Sequence, residues 1–267
     1  MVRAIVSGAA GRMGGRIIHM MEGVEGITLA AAVERSDNPA VGKEVGEVVG
    51  LPAKGVTISG SLAEVLAQGD VVIEFTHPES SLAHLKMVAE AGKAMVLGTT
   101  GLSPAQLSEV RAQGARTRLV FAPNMSVGVN LMFQVVADIA RVLSSGYDVE
   151  IVEAHHRLKK DAPSGTALKL AQVIAQALDR DLEKVGVYAR QGIIGERTTQ
   201  EIGIQTVRAG DIVGEHTVLF GGMGERLEIT HRAHSRDNFA RGAVRAATWI
   251  VGQAPGLYDM QDVLGLK

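Results

Sequence analysis

The first 121 residues alternate short apolar runs with longer amphipathic segments, and that alternation leaves few architectures open. Val2–Ser7, Ile27–Val33, Asp70–Phe75, Ala94–Leu97 and Leu119–Phe121 read as strands. Arg12–Glu22, Ser61–Ala67, Glu79–Ala91 and Pro104–Gln113 read as helices. In the first of these, Met13, Ile17, Ile18, Met20 and Met21 approximate an apolar stripe at helical spacing. Ser61, followed three residues later by Glu64, has the form of a capping box. Residues 37–55 are rich in Gly, Pro and Val with weak periodicity and read as loop. Strands alternating with helices at this spacing make βαβ units and a parallel sheet.

After this the pattern changes. Val127–Leu143 reads as one long helix, Asp148–Ala154 as a strand and Gly165–Leu178 as a helix. Three β-rich stretches follow, Ile202–Arg208, Glu215–Phe220 and Arg226–His231, with turn residues Asp211 and Gly221-Gly222 between them. Asn238–Val251 closes as a helix. The expected fold class is therefore α/β, with a second α+β part built on a mostly antiparallel sheet. The main boundary is expected near residue 125.

Composition removes several chemistries. The chain of 267 residues has a net charge of −2 and no run of like charges, so neither a nucleic acid nor an anionic membrane is expected as partner. It has no cysteine, which excludes disulfides, thiolate metal sites and cysteine nucleophiles. No HExxH is present and no metal site is expected. The opening MVRAIVSGAAG lacks the apolar core of a secretory leader, and no stretch approaches the ~20 apolar residues that span a bilayer. The expectation is a cytoplasmic protein.

Gly8-Ala9-Ala10-Gly11-Arg12-Met13-Gly14 follows the first strand and opens the first helix. The spacing is G-x-x-G-x-x-G rather than G-x-G-x-x-G, but the physical logic is kept. Glycines permit a tight turn and close backbone approach, and a helix start presents N–H groups to a pyrophosphate. An acidic residue about twenty positions on completes the dinucleotide fingerprint. Here it is Glu34, at the end of the second strand, where it could bond the ribose hydroxyls. Arg35 or Arg12 could instead bind a 2′-phosphate, so both NADH and NADPH are expected to be tolerated. Two further loops, Phe75–Pro78 and Gly98–Gly101, end strands of the same sheet, and Ala122-Pro123-Asn124-Met125 follows another. In open α/β sheets ligands sit outside the carboxyl ends of the strands.

Residues 151–166, IVEAHHRLKKDAPSGT, concentrate proton-handling and anion-handling groups. Continued as a strand, this stretch would put His155, Arg157 and Lys159 on one face. His155 and Lys159 could then each supply a proton to one substrate. Pro163 disfavours helix at Ala162, Ser164 is a plausible N-cap, and Gly165 and Thr166 fall in a first helical turn, where a carboxylate binds well. The combination suits a small acidic substrate. His231 and His234 read as structural or surface residues.

The signature EAHHRLKKDAPSGTA (Glu153–Ala167) resembles that of the dihydrodipicolinate reductase family of bacterial lysine and diaminopimelate biosynthesis. The similarity runs along essentially the whole chain, through SGAAGRMG, FTHPE, GTTG, NMSVGVN, VRAGDIVGEHTV and GERLEITHRAHSR. It implies a Rossmann-like dinucleotide-binding domain, residues 1–126 and 238–267, around a substrate-binding and oligomerisation domain, residues 127–237. It implies reduction of 4-hydroxy-tetrahydrodipicolinate by NADH or NADPH, with a small dicarboxylate as substrate and a homotetramer as assembly. By family pattern His155 and Lys159 are the proton donors, and His156, Gly165 and Thr166 hold the substrate carboxylates. Gly8, Ala9, Ala10, Gly11, Arg12, Met13, Glu34, Arg35, Gly98, Thr99, Thr100, Ala122, Pro123, Asn124 and Met125 hold the cofactor. Leu158 stands where some members carry another histidine. Another NAD(P)-dependent oxidoreductase is the competing enzyme class, although an amino-acid dehydrogenase leaves the Ser-Gly-Thr turn unexplained. A non-catalytic redox-sensing regulator would want a nucleic-acid-binding segment, and none is visible.

Overall fold

The computed structural model describes residues 1–267, the side chain of Ser145 excepted. In chain order the elements begin β1 (Val2–Ser7), α1 (Arg12–Met21), β2 (Ile27–Val33), α2 (Val45–Val49), β3 (Ile58–Ser59) and α3 (Leu62–Val65). They continue β4 (Val71–Glu74), α4 (Pro78–Glu90), β5 (Ala94–Leu97), α5 (Pro104–Gly114), β6 (Arg118–Phe121) and α6 (Val127–Leu143). Next come β7 (Asp148–His155), α7 (Gly165–Ala177), α8 (Leu182–Val185), β8 (Gly186–Val187), β9 (Ile202–Arg208), β10 (Gly214–Gly221) and β11 (Arg226–Ala233). The chain ends with α9 (Asp237–Ile250), β12 (Gly256–Tyr258) and α10 (Met260–Leu264). Contacts divide it into two compact units, Met1–Val127 with Arg236–Lys267, and Gly128–Ser235.

The first unit is a parallel sheet of order β12-β6-β5-β4-β1-β2-β3. Every residue of β4 and β5 is buried, because helices cover both faces, and this is why residues 71–73 and the whole of β5 read as continuous apolar runs, with the buried Glu74 ending β4. On one face Ala4 and Val6 of β1 pack with Ile17 and Ile18 of α1 and with Ala243 and Ala247 of α9. On the other, Ile5, Val72 and Met95 pack with Leu85 of α4 and Val110 of α5. The Val, Ile, Leu and Met side chains among these each contribute about 1.5–3 kcal/mol on burial. Arg16 of α1 pairs bidentately with Asp237 at the start of α9, at 2.6 and 2.7 Å, tying the late helix to the early one.

Local departures have local causes. The expected capping box at Ser61 does not form; Ser59 donates its hydroxyl to Glu64 at 3.0 Å instead, and Ser61 makes no side-chain cap. Residues 37–55 contain a short helix, α2, capped by Glu44.

The second unit has strand order β11-β10-β7-β9-β8. β10 is antiparallel to both β11 and β7, whereas β9 is parallel to both β7 and β8. The sheet expected to be mostly antiparallel is therefore mixed. The physical reason is connectivity: α7 and α8 carry the chain from the end of β7 back to the start of β9, and such a crossover delivers a parallel strand. Of the three late β stretches, only β10 and β11 form a hairpin with each other. Val149 and Ile151 of β7 pack with Val136 of α6 and with Leu170 and Ile174 of α7. No helix among the described residues is long and apolar enough to cross a membrane.

Candidate active site

In the first unit, the loop between β1 and α1 is shaped by close approach. Gly8 has φ +67°, in the left-handed region, and a Cβ there would lie 2.9 Å from Thr76 Cγ2. A Cβ on Gly14 would lie 2.1 Å from the Gly8 carbonyl oxygen, so the helix start and the loop pack backbone to backbone. No side chain caps α1 and its first turn holds no acidic residue, which suits an anion. Glu34, just past β2, accepts from Ala10 N at 3.0 Å, Arg35 N at 3.2 Å and Asn38 Nδ2 at 3.1 Å. The expected ribose carboxylate thus stands against the glycine loop. Arg12 is exposed, and Arg35 pairs with the equally exposed Asp37, at 3.4 Å.

The strand ends beside this loop are braced internally. Glu74, fully buried at the end of β4, accepts from His84 Nδ1 at 2.6 Å, from Thr76 N at 3.0 Å and from the Thr76 hydroxyl. Burial works to raise its pKa, but the bonds from His84 and Thr76 outweigh it and hold the carboxyl below its ordinary range. Ser81 Oγ and Thr99 Oγ1 lie 2.7 Å apart. Thr99 therefore turns its hydroxyl inward, whereas Thr100 is exposed. Ala122 and Met125 are buried, Pro123 is exposed, and Asn124 accepts from Ser126 N at 2.9 Å. The loops so placed, with a glycine cradle that a Cβ would fill, fit a dinucleotide.

In the second unit the buried face of β7 changes from apolar to polar along its length: Val149, Ile151, Glu153, His155. Glu153 aligns with His216 on β10 and with Thr206 on β9, and His155 aligns with Arg208. The side chain of Glu153 is fully buried and receives His155 Nδ1 at 2.5 Å, both terminal nitrogens of Arg208 at 2.8 Å, Ser164 N at 3.0 Å and Thr206 Oγ1 at 3.2 Å. Ser164 caps α7 by accepting from Ala167 N at 3.2 Å and lies 3.1 Å from His216 Nε2. The His155 and His216 rings meet edge to face. Gly165 opens α7 exposed, with open space where its Cβ would be, and Thr166 follows in the first turn.

Strand β7 ends at His155, so the face expected to unite His155, Arg157 and Lys159 is not a strand face. The chain turns instead, with Arg157 N donating to Gly210 O and Lys159 N to His156 O. Lys159 Nζ reaches Asp161 at 2.9 Å, and the Asp161 carbonyl accepts from Arg208 at 2.6 Å. His156 Nδ1 is buried without a hydrogen-bond partner. His155, Lys159 and the start of α7 are thus linked through Arg208 and Glu153. No sequence spacing marks Glu153, Arg208 or His216. The one available signal is the period-two placement of Glu153 with His155 on a strand otherwise apolar at those positions. Among the described residues no cluster of His, Cys, Asp and Glu suits a metal ion.

Burial pushes His216 down to about 3, with His155 adding to the shift. Burial would raise Glu153, but Arg208, His155 and Ser164 N hold it down at about 2. Both folded-state values lie below the ordinary 6.5 and 4.5, so the unfolded chain binds protons first as pH falls. This unit therefore loses stability below pH 6.5 through His216, and below 4.5 through Glu153 as well. Thermal unfolding followed from pH 7 to pH 4 should show a falling Tm, with a shallower fall in His216→Gln. An identical slope in that variant would exclude His216 as a buried neutral group.

Comparison with known proteins places the chain. The family model described as "Dihydrodipicolinate reductase, N-terminus" matches residues 2–125, and that of the C-terminus matches residues 128–264. The 4-hydroxy-tetrahydrodipicolinate reductases of Syntrophus aciditrophicus and Syntrophobacter fumaroxidans are 57% and 59% identical over 267 residues, the whole of each chain. A dipicolinate-bound dihydrodipicolinate reductase from Paenisporosarcina sp. TG-14 superposes with a TM-score of 0.74 at 27% identity, over 98% of both chains. With both halves matched and full-length relatives identical at more than half their positions, the chain belongs to the dihydrodipicolinate reductase family.

Proposed function

We propose that this chain reduces 4-hydroxy-tetrahydrodipicolinate to tetrahydrodipicolinate in lysine and diaminopimelate biosynthesis, using NADH or NADPH. The observation that carries this is 57% and 59% identity over the full length to two 4-hydroxy-tetrahydrodipicolinate reductases, joined to a cluster in which a proton-handling His155 adjoins the start of α7. When bound, the dihydronicotinamide supplies a hydride; the substrate gains it with one proton and loses water.

The residues of the chain do the rest. Gly165 and Thr166 at the start of α7, with His156 and its unpartnered Nδ1, receive the substrate carboxylates. Lys159 and His155 hold the proton delivered to the ring and offset charge that develops there. Gly8 to Met13 take the pyrophosphate, Glu34 and Arg35 the adenosine ribose, and Gly98 to Thr100 and Ala122 to Met125 the nicotinamide end. Residues 1–126 and 238–267 thereby serve the cofactor, and 127–237 the substrate and assembly into a cytoplasmic homotetramer, which light scattering on a sizing column checks.

The test is a coupled assay. A synthase makes the precursor from pyruvate and aspartate semialdehyde, this protein is added, and loss of NADH or NADPH absorbance is followed. Rapid synthase-dependent oxidation is expected. Tight NAD(P)H binding without oxidation would reject the substrate. Glu34→Ala should raise the KM for NADH roughly tenfold, the worth of about 1.4 kcal/mol, and affect NADPH less. An unchanged ratio of the two KM values would reject the ribose role.

A further inference from the structure

We propose that Glu153 is the positioning residue of the substrate-handling unit: one buried carboxylate that orients His155 and at the same time anchors the first turn of α7. The proposal rests on the functional reading above and adds a residue that touches neither substrate nor cofactor in it.

Two oxygens receive five hydrogen bonds. One carboxylate oxygen takes His155 Nδ1 at 2.5 Å and Arg208 Nη1 at 2.8 Å. The other takes Arg208 Nη2 at 2.8 Å, Ser164 N at 3.0 Å and Thr206 Oγ1 at 3.2 Å. An ionised carboxylate has about four lone-pair sites, all acceptors, so this constellation requires the charged form and leaves no room for water. A bidentate arginine fixes the plane of the carboxylate, and the plane fixes the direction in which His155 and Ser164 are met.

Each bond has a chemical consequence. With Nδ1 of His155 turned to Glu153, Nε2 is the atom left to exchange a proton. A Cβ on residue 214 would lie 3.0 Å from that Nε2, and glycine occupies the position. At the helix start, Glu153 takes up the Ser164 N–H and Ser164 Oγ takes up that of Ala167. The turn is held from inside at both points, with the exposed Gly165 between them. Proton donor and carboxylate receptor thus share one support, and a displacement of either reaches the other through a single rigid group.

The charged and titratable groups around His155 come from every neighbouring strand and loop. They are Glu153 beside it on β7, Arg208 on β9, His216 on β10 with His231 opposite on β11, and Lys159 and Asp161 in the following turn. Burial is the largest influence lowering the imidazole pKa, and Glu153 opposes it more than any other group.

The test uses the full chain with Glu153→Gln, which keeps size and loses charge. Imidazole nitrogens are followed by ¹⁵N NMR over pH, the His155 signals being identified by their loss in His155→Gln. Glu153→Gln should move the His155 titration to lower pH by about one unit or more, weaken dipicolinate binding about tenfold and lower kcat roughly 10²-fold. NADH binding, read by nucleotide fluorescence, should stay within about twofold, which also reports a folded first unit. Arg208→Gln, in which the carboxylate survives and a cation is lost, should move the His155 titration the opposite way. It serves equally if Glu153→Gln fails to fold. An unmoved His155 titration in a folded variant, shifts of the same sign in both variants, or unaltered dipicolinate affinity in Glu153→Gln would overturn the proposal. The NMR titration needs no turnover, so a wild-type protein inactive in the coupled assay would reject the substrate assignment separately.

Discussion

Lys159→Ala should lower kcat by about 10²–10⁴-fold while NAD(P)H binding stays within about twofold. The lysine is only 21% exposed, its Nζ lies 2.9 Å from Asp161, and its backbone N–H is fixed on His156 O. Asp161 is itself held by its carbonyl on Arg208, so the ammonium is presented from a braced turn rather than from a mobile surface loop. A partly exposed ion pair of this kind contributes at most about 1 kcal/mol to stability, so a large loss of turnover could not be charged to unfolding. The proposed cofactor residues all belong to the other compact unit, which is why nucleotide affinity should persist. Steady-state kinetics with a fluorescence titration of NADH makes the measurement. The neighbouring Lys160 is exposed, and Lys160→Ala should stay within about twofold of wild type. Normal turnover in Lys159→Ala would remove Lys159 from the mechanism.

Gly242→Ala carries the largest expected effect on stability. In a helix interior this exchange ordinarily stabilises by about 0.5–1 kcal/mol, since glycine is the poorer helix former. Here the sign reverses. A Cβ on Gly242 would stand 1.8 Å from the carbonyl oxygen of Met125 and 2.8 Å from its carbonyl carbon, and backbone cannot swing aside as a flexible side chain can. Met125 is itself buried, so relief requires moving α9 or the segment after β6. Loss of about 3 kcal/mol or more is expected, seen as a Tm lower by roughly 10 °C. The same shift would displace Ala122 to Met125, so NAD(P)H affinity should fall with Tm. A variant as stable as wild type would show that α9 does not approach Met125 so closely.

The order of the parallel sheet illustrates what a sequence can and cannot convey. β1, β2, β4, β5 and β6 announce themselves because strands that run through the middle of a covered sheet are apolar over most of their length, with polar residues such as Arg3, Thr28, Glu74 and Arg118 at or near their ends. Their helices announce themselves by a period that follows from 3.6 residues per turn. Nothing of that kind marks β12, three residues long, which pairs with β6 from far along the chain. Serine three residues before glutamate at 61–64 has the right spacing for a capping box, yet Ser59 competes for the same carboxylate and wins. Parallel pairing of β9 with β7 was equally hidden, since strand direction depends on the path of α7 and α8 and not on the composition of either strand.

The candidate site divides in the same way. The sequence by itself determined the ingredients carried on contiguous segments: the glycine loop, the acidic residue about twenty positions beyond it, two histidines, a lysine and a capped Ser-Gly-Thr turn. Their spacing is short, and short spacing is governed by local geometry and sterics. Only the tertiary structure decided what surrounds them. Thr206 and Arg208 reach Glu153 across 53 and 55 residues, and His216 meets Ser164 across 52. Those partnerships exist because strands β9 and β10 flank β7 in one register, and register is fixed by the burial of whole faces rather than by any neighbour in sequence.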